Sequence, residues 1–283
     1  MKTFSQRLGG FALALAFVVV AGCGSSRLVL PFLIDPPGMT TPKNAAALRS
    51  HEDAVLGIAA IMVKDLRMPL PAQFTVYVYS GREVFEQGLI HDAQVSPARA
   101  AELSEFAVGI GKRRQLLLND EAAAGGREWL RLIAHELAHV SQIELAQGEG
   151  RAEQWLAEGM AEWVAFTVLQ RLSLDTIASR RAAATAGIRN HAALVAARLD
   201  LETLGNPRGF TVRHLREGSL PTYQLAFLMA DYLVERDGVE RMTDYFRSFG
   251  RRQDRHANFR HTFGQSLDQF EQEVLAHLKT VVR

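Results

Sequence analysis

The pentad His135-Glu136-Leu137-Ala138-His139 constrains this chain more than any other stretch of its 283 residues. Two histidines four positions apart on a helix project from one face, with Cβ atoms about 5–6 Å apart, so both imidazoles can reach one metal ion. The surrounding segment supports a helix. Arg127 to Gln147 contains no proline or glycine, Gly125-Gly126 precede it and Gly148 follows it, the punctuation expected at helix ends. Trp129, Leu132, Ile133, Leu137, Val140 and Ile143 recur at helical spacing, so one side of this helix faces a core.

Glu158 follows His139 after eighteen intervening residues, inside the apolar run Trp155-Leu156-Ala157-Glu158-Gly159-Met160-Ala161-Glu162-Trp163. A buried carboxylate is costly unless it is paired or coordinates a metal. Two imidazoles and a carboxylate would leave a tetrahedral zinc with one open position for water, and Glu136 stands beside the first histidine to take a proton from that water. Glu162, one turn after Glu158, can accept a hydrogen bond from the second nitrogen of a ligand histidine and so fix its orientation. Gly159 weakens its helix by about 1 kcal/mol relative to alanine, and close packing against the histidine helix is the expected compensation. The competing reading leaves both histidines on the flank of a buried helix and makes Glu158 and Glu162 solvated surface charges.

The pentad followed after eighteen residues by Trp155 to Trp163 resembles the gluzincins, zinc peptidases that share a thermolysin-like catalytic domain. The wording around Glu158 is closest to the aminopeptidase N and leukotriene-hydrolase branch and to small bacterial peptidase MA-like proteins. The resemblance implies one Zn2+ held by His135, His139 and Glu158, with Glu136 as general base and a peptide or protein as substrate. It also implies a tyrosine on a later helix that steadies the oxyanion. Leu220-Pro221-Thr222-Tyr223-Gln224-Leu225-Ala226-Phe227-Leu228 looks like that helix and puts Tyr223 in the role. Tyr232 competes for it, but Leu228, Leu233 and Val234 around it read as packing. The G-x-M-E-N signature of the aminopeptidases is absent, so the resemblance extends to the zinc machinery and leaves aminopeptidase specificity open.

Residues 1–22 read as a secretory signal peptide: Lys2 and Arg7 are followed by the apolar run Phe11 to Ala21, too short for a spanning helix of about 20 residues. Val20-Ala21-Gly22-Cys23 resembles a bacterial lipobox, which implies cleavage before Cys23 and acylation of that residue. Cys23 is the sole cysteine, so an internal disulfide is excluded and lipid attachment accounts for the residue. The implied location is the bacterial cell envelope, with membrane contact through lipidated Cys23. Gly24-Ser25-Ser26 after the cysteine, with no aspartate, resembles outer-membrane sorting and a periplasm-facing domain. Loss of Lys2 and Arg7 turns the formal charge of +1 into −1. No basic block is present, and nucleic acid is not an indicated partner.

Pro31, Asp35-Pro36-Pro37-Gly38 and Pro42 mark residues 23–44 as lipidated cysteine and tether, although Leu28 to Ile34 is apolar enough to pack on the domain. Residues 45–283 are assigned to one hydrolase domain. Its expected class is α+β and mostly helical: a thermolysin-like zincin domain with a small N-terminal β-sheet and a helical C-terminal part. The expected elements are an amphipathic helix over 44–68, a strand over 74–79, and a second strand over 114–118, to which the resemblance gives the role of the edge for substrate. Helices are expected within 173–204, at 221–236 and at 267–278, with a loop over 205–218 that carries His214. The function so implied is a membrane-anchored zinc metallopeptidase. Its rivals are a catalytically inactive zincin-fold lipoprotein with a binding role and a zinc hydrolase of a non-peptide amide or ester.

Overall fold

The computed structural model describes residues 27–121, 126–149, 152–191, 195 and 198–281. Period-two alternation builds its sheet. In β2 (Gln73–Tyr79), Phe74, Val76 and Val78 face one core, while Tyr79 joins a second core on the other side. β4 (Gln115–Asn119) runs parallel to β2 and is buried on both faces, with Leu116 and Leu118 on one side and Leu117 on the other. This is why it reads as an uninterrupted apolar triplet. β1 (Arg27–Leu33) and β3 (Gly109–Lys112) are the antiparallel edges, giving the order β1-β2-β4-β3.

The chain crosses from β2 to β4 through α2 (Arg82–His91), α3 (Pro97–Ser104) and β3, as parallel neighbours require a long connection. Phe85, Leu89 and Ala100 of this crossover cover Tyr79 and Leu117. The opposite face of the sheet packs on α1 (His51–Ala60), which Ser50 caps and which continues as a wider turn over Ile61–Asp65, and on α4 (Gly126–Ala146). Behind α4 lie α5 (Gln154–Arg171) and α9 (Ser219–Asp237), each packed on the next, with α6 (Ile177–Asn190) against α9. The remaining helices are α7 (Leu201–Leu204), α8 (Pro207–Glu217), α10 (Val239–Ser248), α11 (Arg255–Phe263) and α12 (Leu267–Val281). The class is therefore α+β, mostly helical, with a small sheet near the N-terminal side.

Four local expectations change. Residues 27–33, assigned to a tether, pair along their length with β2; Pro31 is tolerated because an edge strand needs only half of its backbone donors. The strand at 115–119 is interior, and the edge beside α4 is β3, hidden in the sequence by Gly109 and Gly111. The expected loop at 205–218 contains α8. There Asn206 accepts a hydrogen bond from Arg208 N–H and Pro207 occupies the first turn, where a missing donor is harmless. Finally, Gly159 packs on α9 and not on the histidine helix. A Cβ there would overlap the Ala226 carbonyl oxygen and lie 2.9 Å from Ala230 Cβ.

The start of α5 is tied down by two main-chain bonds: Glu153 N–H donates to Tyr245 Oη at 3.1 Å and Gln154 N–H to the Gly205 carbonyl at 3.0 Å. The Glu153 side chain is completely buried, 3.2 Å from Arg255. Burial raises its pKa to about 7, against the pull of Arg255. Two predictions follow from this packing. Gly159→Ala is expected to destabilise the protein by about 1–3 kcal/mol through overpacking, although helix propensity alone would favour alanine by about 1 kcal/mol. A higher urea midpoint would refute the close approach to α9. For Glu153 the folded pKa lies above the unfolded one, so the stability this group contributes is fully present below about pH 4.5 and is lost as pH rises through about 7. Relative to Glu153→Gln, the native chain is expected to lose on the order of 3 kcal/mol between pH 5 and 8, read as the difference between two urea-unfolding series.

Candidate metal centre

Helix α4 places His135 and His139 on one face, and α5 brings Glu158 across from them. His135 Nε2 lies 3.1 Å from His139 Nε2, and Glu158 Oε2 lies 3.3 Å and 3.4 Å from those two nitrogens. Ligand bonds of about 2.0–2.1 Å in a tetrahedron give edges of about 3.3 Å. The three donors therefore stand at the separations that a small tetrahedral ion needs. Glu158 Oε2 is a buried oxygen with no hydrogen-bond partner, which a coordinated cation would explain. Its other oxygen accepts from Gln154 Nε2 at 2.7 Å. Among the described residues, His135, His139 and Glu158 form a group that could hold a metal ion.

The outward nitrogens are held as well. Gln142, one turn past His139, has Oε1 2.9 Å from His139 Nδ1, and its Nε2 donates to the Ala157 carbonyl at 2.9 Å. The amide is thereby oriented so that His139 Nδ1 carries the hydrogen and Nε2 keeps its lone pair for the centre. On the other side Glu162 Oε1 lies 3.0 Å from His135 Nδ1 and accepts from Arg131 Nη1 at 2.7 Å. Glu162 is thus beside His135, where the sequence pattern put it. Gln142 was missed, although its position three residues after His139 on the same helix was a usable signal.

These carboxylates make the cradle strongly cation-seeking. Burial alone would lower the pKa of His135, but Glu158 and Glu162 outweigh it and raise it to about 10. His139 is raised in the same way, burial opposing and Glu158 prevailing. Glu158 and Glu162 stay well below the usual carboxylate range in spite of burial, held there by the histidines and, for Glu162, by Arg131. The same negative field favours a bound cation, and a metal ion held there would displace the protons from both imidazoles.

Glu136 is buried beside the cradle, and its Oε2 accepts a 2.7 Å hydrogen bond from Gly111 N–H of β3. A Cβ on Gly111 would overlap the Glu136 carbonyl oxygen and lie 2.9 Å from His139 Cβ. The glycine therefore lets the edge strand lie directly on the histidine helix. Tyr223 enters from α9, its ring 6.2 Å from that of His135. Burial, followed by the carboxylates of Glu158 and Glu136, raises its pKa well above the ordinary value, so the phenol remains a neutral donor. Tyr232 points elsewhere, bonding Glu273 and lying against Phe270 and His277.

His214, expected in a loop, sits on the inner side of α8 with its ring 5.9 Å from Tyr223 and 5.4 Å from Phe106. Burial lowers its pKa against the opposing effect of Glu158. The four-residue step from buried Phe210, itself 5.5 Å from Tyr223, was the helical signal. His135, Glu136 and Tyr223 line both lobes of one open cleft, each lobe of about 450 Å³. One runs along Gly109 to Lys112 and past His139. The other runs past Tyr223 and His214 to Leu132, Phe166 and Phe227.

Cys23 and residues 1–22, the expected signal peptide, lie outside the described residues, and no described helix is long and apolar enough to cross a membrane. No protein-family model, curated protein or solved structure matches the chain. Gln142→Ala is expected to weaken metal binding by about 10–100-fold, measured by competition against a chromogenic chelator. Unchanged affinity would show that His139 does not depend on Gln142 for its orientation.

Proposed function

We propose that the protein is a zinc-dependent metallopeptidase of the gluzincin kind, held in the bacterial cell envelope by a lipid on Cys23. The observation that carries this reading is the convergence of His135 Nε2, His139 Nε2 and Glu158 Oε2 within 3.4 Å of one another, beside the Glu136 carboxylate in an open cleft. Two histidines and one carboxylate with room for water form a donor set typical of hydrolytic zinc. A zinc ion bound there polarises a carbonyl and lowers the pKa of water towards ~7.

The chain's own groups do the rest. Glu136 removes a proton from the attacking water and later returns it to the leaving amine. Tyr223 donates its hydroxyl hydrogen to the substrate oxygen as negative charge develops there. Glu162 and Gln142 hold the two imidazoles in register while this happens. β3 has one side paired with β4 and the other open to the cleft. An extended peptide can add to that open side through backbone hydrogen bonds, which favours a peptide over a compact small ester. Its Gly111 N–H is already engaged by Glu136, so strand addition and positioning of the base share one short segment.

The test compares native protein with Glu136→Gln for zinc content by mass spectrometry and for turnover of a quenched peptide library. One zinc per chain in both, with turnover reduced about 10²–10⁴-fold in the variant, is the expected result. Turnover indifferent to Glu136 would remove the peptidase assignment, and absence of zinc from native protein would remove the metal centre itself.

A further inference from the structure

Seven large apolar side chains are exposed among the described residues, and two of them, Val29 and Leu33, share one face of β1, while Leu28 lies on its other face. Alternation along this strand sends Leu30 and Phe32 into the core, where Phe32 stacks on Phe74 at 5.3 Å. Arg27, Val29, Pro31 and Leu33 are turned the other way and all are exposed, Leu33 at 71%. On this face of the sheet the α2–α3 layer covers Tyr79 and Leu117, and Asp92, just past α2, bonds Arg27 at the start of β1 at 2.6 and 2.8 Å. Val29 to Leu33 lie beyond that cover. An uncovered apolar edge strand is a liability in water, so this face calls for an occupant.

The spacing to Cys23 identifies one. Gly24, Ser25 and Ser26 are all that separates it from Arg27. Four Cα steps reach at most about 14 Å even when fully extended. With acyl chains on Cys23, a residue at the headgroup level cannot be followed by a freely swinging domain. We infer that the outer face of β1, from Val29 to Leu33, rests on the phospholipid surface, so that the domain is docked on the membrane and not suspended from it. This inference rests on acylation of Cys23 as proposed above. Lipid supplies the strong anchoring, and Val29, Pro31 and Leu33 fix which side of the domain meets the bilayer. Pro31 offers no N–H, which suits a strand whose free edge must not recruit another strand.

The experiment uses the full-length protein extracted from membranes, with the acyl chains on Cys23 verified by intact mass. Leu33→Cys and, as comparator, Val212→Cys are labelled with a nitroxide, which the acylated sulfur of Cys23 does not accept. The proteins are reconstituted into phosphatidylethanolamine/phosphatidylglycerol vesicles. Collision with a water-soluble nickel chelate and with oxygen is read by power saturation. The expected result is a label at position 33 about threefold or more less accessible to nickel, and more accessible to oxygen, than the label at 212, as for a group at the headgroup boundary. Equal nickel access at both positions on acylated protein overturns the docking and leaves the anchor intact. Dipolar broadening of the label at 33 that disappears on dilution with unlabelled protein means that a second copy covers the strand, which also overturns it. Absence of acyl chains on Cys23 overturns the anchor, and the docking with it.

Discussion

Two imidazole nitrogens and a carboxylate oxygen stand within 3.4 Å of each other, largely away from water, an arrangement that favours a cation among them, whether proton or metal. Much of the molecule around α4 can be understood as the means of holding those three donors in place. The ring of His139 is locked through Gln142 to the main chain of α5, and His135 is backed by Glu162, which Arg131 in turn neutralises. Each lock runs between α4 and α5 or stays on α4, so these two helices cannot slide without breaking the site. Glu158 Oε2, a buried oxygen without a hydrogen-bond partner, is the one aimed at the centre, and His135 Nδ1 relies on its 3.0 Å approach to Glu162.

Absent side chains matter as much as present ones. Gly111 lets β3 lie against the backbone of Glu136 and His139, and Gly159 lets α9 approach α5 until Ala226 and Ala230 touch it. The first contact brings the edge strand to the general-base candidate. The second sets the distance from which Tyr223, three residues before Ala226 on α9, reaches towards His135. Both glycines are therefore metric: they set how far a strand and a helix stand from the donors, where any larger residue would move one element by a methyl radius or more.

The parts of this architecture legible in the sequence are those carried by periodicity and charge type. His135, His139, Glu158 and Glu162 follow from helical spacing combined with the cost of burying carboxylates in an apolar run, and the structure places all four together. Tyr223 was reached through a likeness to a family, and its ring lies 6.2 Å from that of His135. What stayed hidden depends on contacts distant in sequence. β3 carries glycines that propensity argues against, and only the α4 backbone explains them. α8 begins with Asn206-Pro207, a pair that reads equally as a turn or as a helix start. β1 holds a proline that an interior strand would reject, and its place at an edge is a fact of topology that local pattern does not contain.

That topology has a mechanical side. β1 and β3 are the two margins of the sheet, with β2 and β4 between them, so three strand spacings, about 14 Å, separate the margin nearest the N-terminal segment from the margin that borders the cleft. Hydrogen-bonded strands do not stretch, and the interior pair is packed on both faces. The sheet is in this sense a rigid spacer. Whatever grips the chain ahead of Arg27 grips the far margin, and the distance along the sheet from that grip to the cleft is set by a count of strands, indifferent to loop length or side-chain motion.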